Sequence, residues 1–448
     1  MNELKCLLVD LPKDIASLIY AGYFDNAEKL MDIYMSRNIP KILKERLEYE
    51  KVRIEKLKEE YTFSFDEALK LCKSSIKDFT EDELTYLKNE RYTDWVLKEG
   101  NVYFSSRFLE NCIKVHPNIK SRLYNIPEDK ENDILNKTIN EIIKYGEKKY
   151  FIHLKAGLKL EDNKNLSGKK VKVHVPIPKN AQQIKDINIL SFSHNPIEIS
   201  PANHPQRTVY FEDTVKGNDE FIVEYSYENH IKYNNINYAN VSKIQRDFYT
   251  NEWLPHIKFS PFLRELTTEI IGTEGNPLLK ARKIYDYITQ NVQYSFMPSY
   301  IALESIAEYA AYNLKGDCGV QALLFITLCR IARIPARWQS GLYVNPYYIG
   351  CHDWAEFYVE PYGWLFADPS FGGSGYRSGN IKKWNFYFGN LDPFRMVANS
   401  EFHYPLYPEK QHLRQDPYDN QLGEAETEST HLNRQWEKIL EIVEVKEI

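Results

Sequence analysis

Three short segments carry the residue types of a nucleophilic centre. Lys315-Gly316-Asp317-Cys318-Gly319 comes first, Cys351-His352-Asp353-Trp354-Ala355-Glu356 second, and Gly363-Trp364-Leu365-Phe366-Ala367-Asp368-Pro369 third. A cysteine at a glycine-flanked helix start can attack a carbonyl. A histidine opening a strand can move the proton, and an aspartate closing the next strand can hold the imidazole. Together they are the parts of a Cys-His-Asp centre for acyl transfer.

The elements that must position them follow from pattern. After Cys318, the residues Val320, Leu323, Leu324, Leu328 and Ile331 fall on one face of a helix running to Arg333, ended by Ile334-Pro335. Cys318 then sits in the first turn, where unpaired N–H groups and the helix dipole favour a thiolate. Gly316 allows a tight turn and a close substrate backbone, and Asp317 reads as the N-cap. His352 shares a strand face with Trp354, Glu356 and Tyr358, while Asp353, Ala355, Phe357 and Val359 face the other way. Pro361-Tyr362-Gly363 is a turn, so the next strand returns antiparallel. The even separation of 352 and 368 lets a hairpin register place both on one face. Asp368 would then hold one ring nitrogen of His352 while the other faces Cys318.

Other reactive side chains read as structural. Cys329 is mid-helix, and Cys72 and Cys112 read as small core residues. Cys351 points away from His352, and no fourth ligand completes a metal site with Cys318 and His352. His174, His194 and His204 lack a ligand-spaced partner. Trp364 and Trp384 read as core aromatics, Asp392 and Arg395 as an ion-paired corner, and Asp416 to Asn420 as a turn cluster.

Gly316-Asp317-Cys318, Ala332-Arg333-Ile334-Pro335-Ala336-Arg337, His352-Asp353-Trp354-Ala355-Glu356, Gly363-Trp364 and Asp368-Pro369-Ser370 occur in that order. The set resembles the transglutaminase-like superfamily over roughly residues 280 to 375. The resemblance implies a papain-like core with Cys318 as nucleophile, His352 as general base and acid, Asp368 as its orienting group, and Trp354 as a wall of the site. It implies transamidation, amide hydrolysis, deamidation or deglycosylation, or a member that has lost activity. No acidic loops of the calcium-site kind are present, so calcium activation is not expected. The oxyanion donor by default is the backbone N–H of Cys318, with Tyr294 or Gln293 as upstream side-chain candidates.

At 448 residues the chain has room for roughly two to four domains. Its 57 basic and 63 acidic residues leave a charge of −6, which argues against a nucleic-acid partner. The start, Met1 to Asp10, reads as lacking a signal peptide, and no apolar stretch reaches bilayer length. Six scattered cysteines without a C-x-x-C pair argue against a disulfide scaffold or structural zinc, and suggest a cytoplasmic protein. The expected class is α+β. Residues 1–148 read as a helical region with capping boxes at Ser64–Glu67 and Thr80–Glu83. Residues 149–240 read as a small antiparallel β-sandwich, with turns over Glu161–Gly168 and Asn195–Pro205. Residues 241–448 read as the catalytic domain with a C-terminal extension that turns helical from Leu432 to Val443. The expectation is a cofactor-free cysteine hydrolase or acyltransferase on a peptide or protein. The alternative is an inactive scaffold of the same fold that binds peptides.

Overall fold

The computed structural model describes residues 4–125, 129–161, 166–217, 219–433 and 435–448. Residues 162–165 of the turn expected over Glu161–Gly168 lie outside the described residues, as do the first three of the chain start. The fold is α+β, mixing helices with antiparallel sheets. Two compact units are present. One comprises Met1–Glu128, Trp253–Lys258 and Val292–Asp317, the other Asp129–Glu252, Phe259–Asn291 and Cys318–Ile448.

The first unit has two apolar cores. Helices Lys13–Tyr20, Phe24–Met35 and Lys41–Glu60 bury Ile15, Ala27, Met31, Leu47 and Ile54 together. A second cluster gathers Ala68, Cys72, Phe104, Phe108 and Cys112. Glu50, which breaks the apolar stripe of its helix, is fully buried and accepts from Arg46 at 2.7 Å and Arg53 at 2.8 Å. The Ser64–Glu67 capping box forms, and Thr80 caps through Glu83 N at 3.2 Å.

The helical first third also carries a small sheet that the sequence reading did not foresee. Tyr61–Ser64, Trp95–Lys98 and Asn101–Ser105 form a three-stranded antiparallel sheet. The missed signal is a two-residue hairpin. Lys98 pairs Asn101 across Glu99-Gly100, both with positive φ, between runs of aromatic and β-branched residues.

The second unit contains a β-sandwich and a five-stranded sheet. One sandwich sheet orders Glu424–Thr427, Lys170–Pro176, Thr208–Thr214 and Glu198–Ile199. The other orders Trp436–Glu447, Glu147–Leu160, Glu220–Lys232 and Ile184–Phe192. Alternate residues Ile152, Leu154, Val171, Val173, Val175, Phe221, Val223 and Tyr225 are buried, as a two-residue period requires. The helix expected over Leu432–Val443 is instead the strand Trp436–Glu447, paired antiparallel with Glu147–Leu160. Its apolar residues fit either period over this length. The open edge of the long Glu147–Leu160 strand decides, and a bulge between Ile442 and Glu444 absorbs the irregular pattern.

The five-stranded sheet is antiparallel, in the order Phe388–Gly389, Gly363–Ala367, Tyr348–Val359, Ala336–Asn345 and Arg395–Asn399. The helix Cys318–Ile331 is buried from Gly319 to Arg330. Its Phe325 meets Phe357 edge-on at 5.7 Å, so it covers the sheet face that carries Asp353, Ala355 and Phe357. The opposite face of the same strand receives the sandwich, where Gln182 donates to Glu356 at 2.6 Å.

Candidate active site

Cys318 is the first residue of its helix and is partly exposed, whereas the next twelve residues are buried. Its thiol donates to Asp353 Oδ2 at 3.2 Å. Asp353 Oδ1 accepts from Gln421 Nε2 at 2.7 Å, and the same amide reaches the carbonyl of His352 at 3.2 Å. The helix therefore presents its cysteine to the residue beside the histidine. Neither Asp353 nor Gln421 stood out in the sequence as a site residue. The signal for Asp353 lay in the strand period, which placed it on the face the helix covers.

His352 lies inside the strand Tyr348–Val359 rather than at its start, opposite Gly341 in the register. A Cβ at position 341 would sit 2.1 Å from the carbonyl oxygen of Met396, so only glycine lets the neighbouring strand approach here. The His352 ring packs on Phe371 at 4.5 Å and stacks with Trp354 at 6.1 Å. Its Nε2 lies 2.7 Å from Asp368 Oδ2. The pleat and the antiparallel return bring these two side chains together.

Asp368 closes the strand Gly363–Ala367 and caps the helix Pro369–Arg377, its Oδ1 accepting from Phe371 N at 2.9 Å and Ser370 Oγ at 3.0 Å. Its Oδ2 meets Arg395 Nη1 at 3.0 Å, a charge contact rather than an aligned hydrogen bond, since Nη1 has no hydrogen-bond partner of its own. Arg395 also pairs with Asp392, as the sequence suggested, and Nε donates to Asp392 Oδ2 at 3.0 Å. The link from Arg395 to Asp368 was not legible, because it joins two strands at opposite sides of the sheet order.

Burial would raise the Asp368 carboxyl, but the His352 ring and Arg395 override it and hold it well below the usual carboxylate range. His352 is lowered by burial first, with Asp368 opposing and Arg395 assisting. An ionised carboxylate only accepts, so His352 donates Nε2–H to Asp368, which leaves Nδ1 as the basic nitrogen.

The other expected residues fall as follows. Trp354 is fully buried, donates Nε1–H to Gln339 at 2.8 Å, and walls the histidine from behind. Gln293 and Tyr294 belong to the first unit, where they pair in parallel with Lys315 and Gly316. The Tyr294 ring there lies 4.2 Å from Lys114 Nζ and edge-on to Phe296. Trp364 carries Arg337 over its ring at 3.9 Å, and Trp384 donates to Thr289 at 2.9 Å. Cys351 is exposed. Among the described residues, no group of three or more His, Cys, Asp or Glu side chains is placed to hold a metal ion. No helix among them is long and apolar enough to cross a membrane.

These elements and this order of residues coincide with a known family. Residues 264–369 match the transglutaminase-like superfamily. A stretch of 158 residues is 28% identical to an uncharacterized protein of Haemophilus influenzae, covering 30% of this chain and 43% of that protein. The chain thus spans less than half the length of this relative. Among solved structures, "a Putative Cysteine Protease from Cytophaga hutchinsonii" is 16% identical with a TM-score of 0.43, covering 67% of this chain and 91% of that one. The periplasmic domain of TgpA from Pseudomonas aeruginosa is 13% identical with a TM-score of 0.26, covering 56% and 97%. The transglutaminase-like match takes in the segments that carry Cys318, His352 and Asp368.

Proposed function

We propose that this chain is a cysteine-dependent enzyme that transfers the acyl group of an amide in a peptide or protein. The observation that supports this is a partly exposed cysteine at the start of a buried helix, hydrogen-bonded to the residue that follows a histidine whose Nε2 is held by an ion-paired, buried aspartate. The Cys318 sulfur bonds to the carbonyl carbon as its proton passes to His352 Nδ1. The oxygen becomes an oxyanion facing the backbone N–H of Cys318. The C–N bond then breaks, and His352 returns the proton to the leaving amine. The resulting thioester is resolved by water or by a primary amine, with His352 as base. Asp368 fixes the tautomer and stabilises the imidazolium that forms in each half-reaction. Hydrolysis is the favoured outcome in a cytoplasm, where water is always present.

Intact-mass spectrometry under acid quench, after incubation with peptide fractions, tests the proposal. An acyl adduct on Cys318, absent from the Cys318→Ala variant, is the expected result. Peptide binding with no adduct and no cleavage would favour the scaffold reading, which the hydrogen bond from the thiol to Asp353 also fits.

A further inference from the structure

We propose that Asp353 is a positioning residue for the nucleophile, and Gln421 its anchor: the carboxylate holds the Cys318 thiol in a protonated resting state that substrate must release to His352. This rests on the reading of Cys318 as nucleophile.

The geometry is specific. Asp353 uses one oxygen for the thiol and the other for the Gln421 amide, so its orientation is fixed from two sides. Gln421 comes from the segment before the strand Glu424–Thr427 and also grips the His352 carbonyl, tying the C-terminal segment to both neighbours at once. A carboxylate that accepts S–H favours the thiol, and its charge opposes the thiolate. In the proposed reaction the same proton must leave Asp353 for the basic nitrogen of His352, the preceding residue of the strand.

The surrounding charges are defined. Asp419, which also hydrogen-bonds with Asp353, is pushed well above the usual carboxylate range by burial first and by the charge of Asp353 second. Asp416 behaves likewise, through burial and then Asp419. On the strand itself, Cys351 and His352 precede Asp353, and His352 is lowered by burial first and by Arg395, against the opposing charge of Asp368. Lys438 of the edge strand acts on Cys351.

The test measures iodoacetamide labelling of Cys318 by peptide mass, from about pH 5 to about pH 9. A Cys351→Ser background removes the exposed competing thiol. Asp353→Asn should lower the midpoint of the labelling curve by about one pH unit, about tenfold faster labelling at its foot. Gln421→Ala should move it the same way by less, and it keeps the proposal testable if Asp353→Asn fails to fold. Unchanged or raised midpoints in folded variants would overturn the proposal. The curve needs no substrate, so a missing acyl adduct would sink the proposed function while leaving this measurement to stand or fall alone.

Discussion

Arg395 places its Nη1 3.0 Å from Oδ2 of Asp368, and neither side chain has exposed surface. The guanidinium serves two buried carboxylates, Asp368 and Asp392, so the carboxylate that meets His352 Nε2 is itself held by a charge. Such a set contributes little net stability compared with apolar residues, but breaking it leaves charges buried without a partner.

Arg395→Met should therefore cost about 3–5 kcal/mol, since it strands two buried carboxylates. Denaturant midpoints would measure this. A loss under about 1 kcal/mol would mean that water reaches the pair.

Replacing Asp368 by Asn should lower kcat/KM by about two to four orders of magnitude, because Asn can donate to Nε2 and so favour the wrong tautomer. The same change weakens the cap on the helix Pro369–Arg377 and the contact with Arg395, so Tm should fall as well. An enzyme of near-normal activity would show that the aspartate does not orient the ring.

The pH dependence has a definite sign. His352 must be neutral to take the thiol proton, and burial lowers it. The acid limb of kcat/KM should then lie below the ordinary histidine value of about 6.5. For stability, the unfolded chain binds this proton at about pH 6.5 and the folded chain only at lower pH, so the contribution is lost as pH falls through that window. Asp368, also held low, loses its contribution below about pH 4. Asp416 and Asp419 carry the opposite sign, losing theirs as pH rises above about 4. An acid limb above about pH 6.5 would contradict the burial of the ring.

Gly341→Ala should destabilise by about 1–3 kcal/mol, because its methyl would press on the backbone of Met396 rather than on a flexible side chain. Position 341 faces His352 across the strand pair, so activity should drop with it. Thermal melts together with turnover would test both, and an unchanged melt would show that the two strands can separate.

Cys318→Ala should remove all acyl adduct and turnover while shifting Tm by only a few degrees. The lost thiol is partly exposed and donates to Asp353. Retained turnover would end the assignment of the nucleophile.

Much of the site was written in local pattern. The helix beginning at Cys318 follows from its apolar residues and its glycine-flanked start. The meeting of His352 with Asp368 follows from the two-residue pleat and a turn that returns the strand. The Ser64–Glu67 cap is likewise local, since both hydrogen bonds close within one turn. Tertiary structure decided what local rules leave open. It chose the sheet face that the helix covers, and so gave the thiol to Asp353. It laid the strand Arg395–Asn399 beside Ala336–Asn345, which set a guanidinium against Asp368. It turned Trp436–Glu447 into an edge strand, because a neighbouring strand with unpaired backbone groups outweighs the helical preference of a short apolar run. Contacts between residues far apart in sequence depend on which surfaces pack, and periodicity along one segment does not encode that choice.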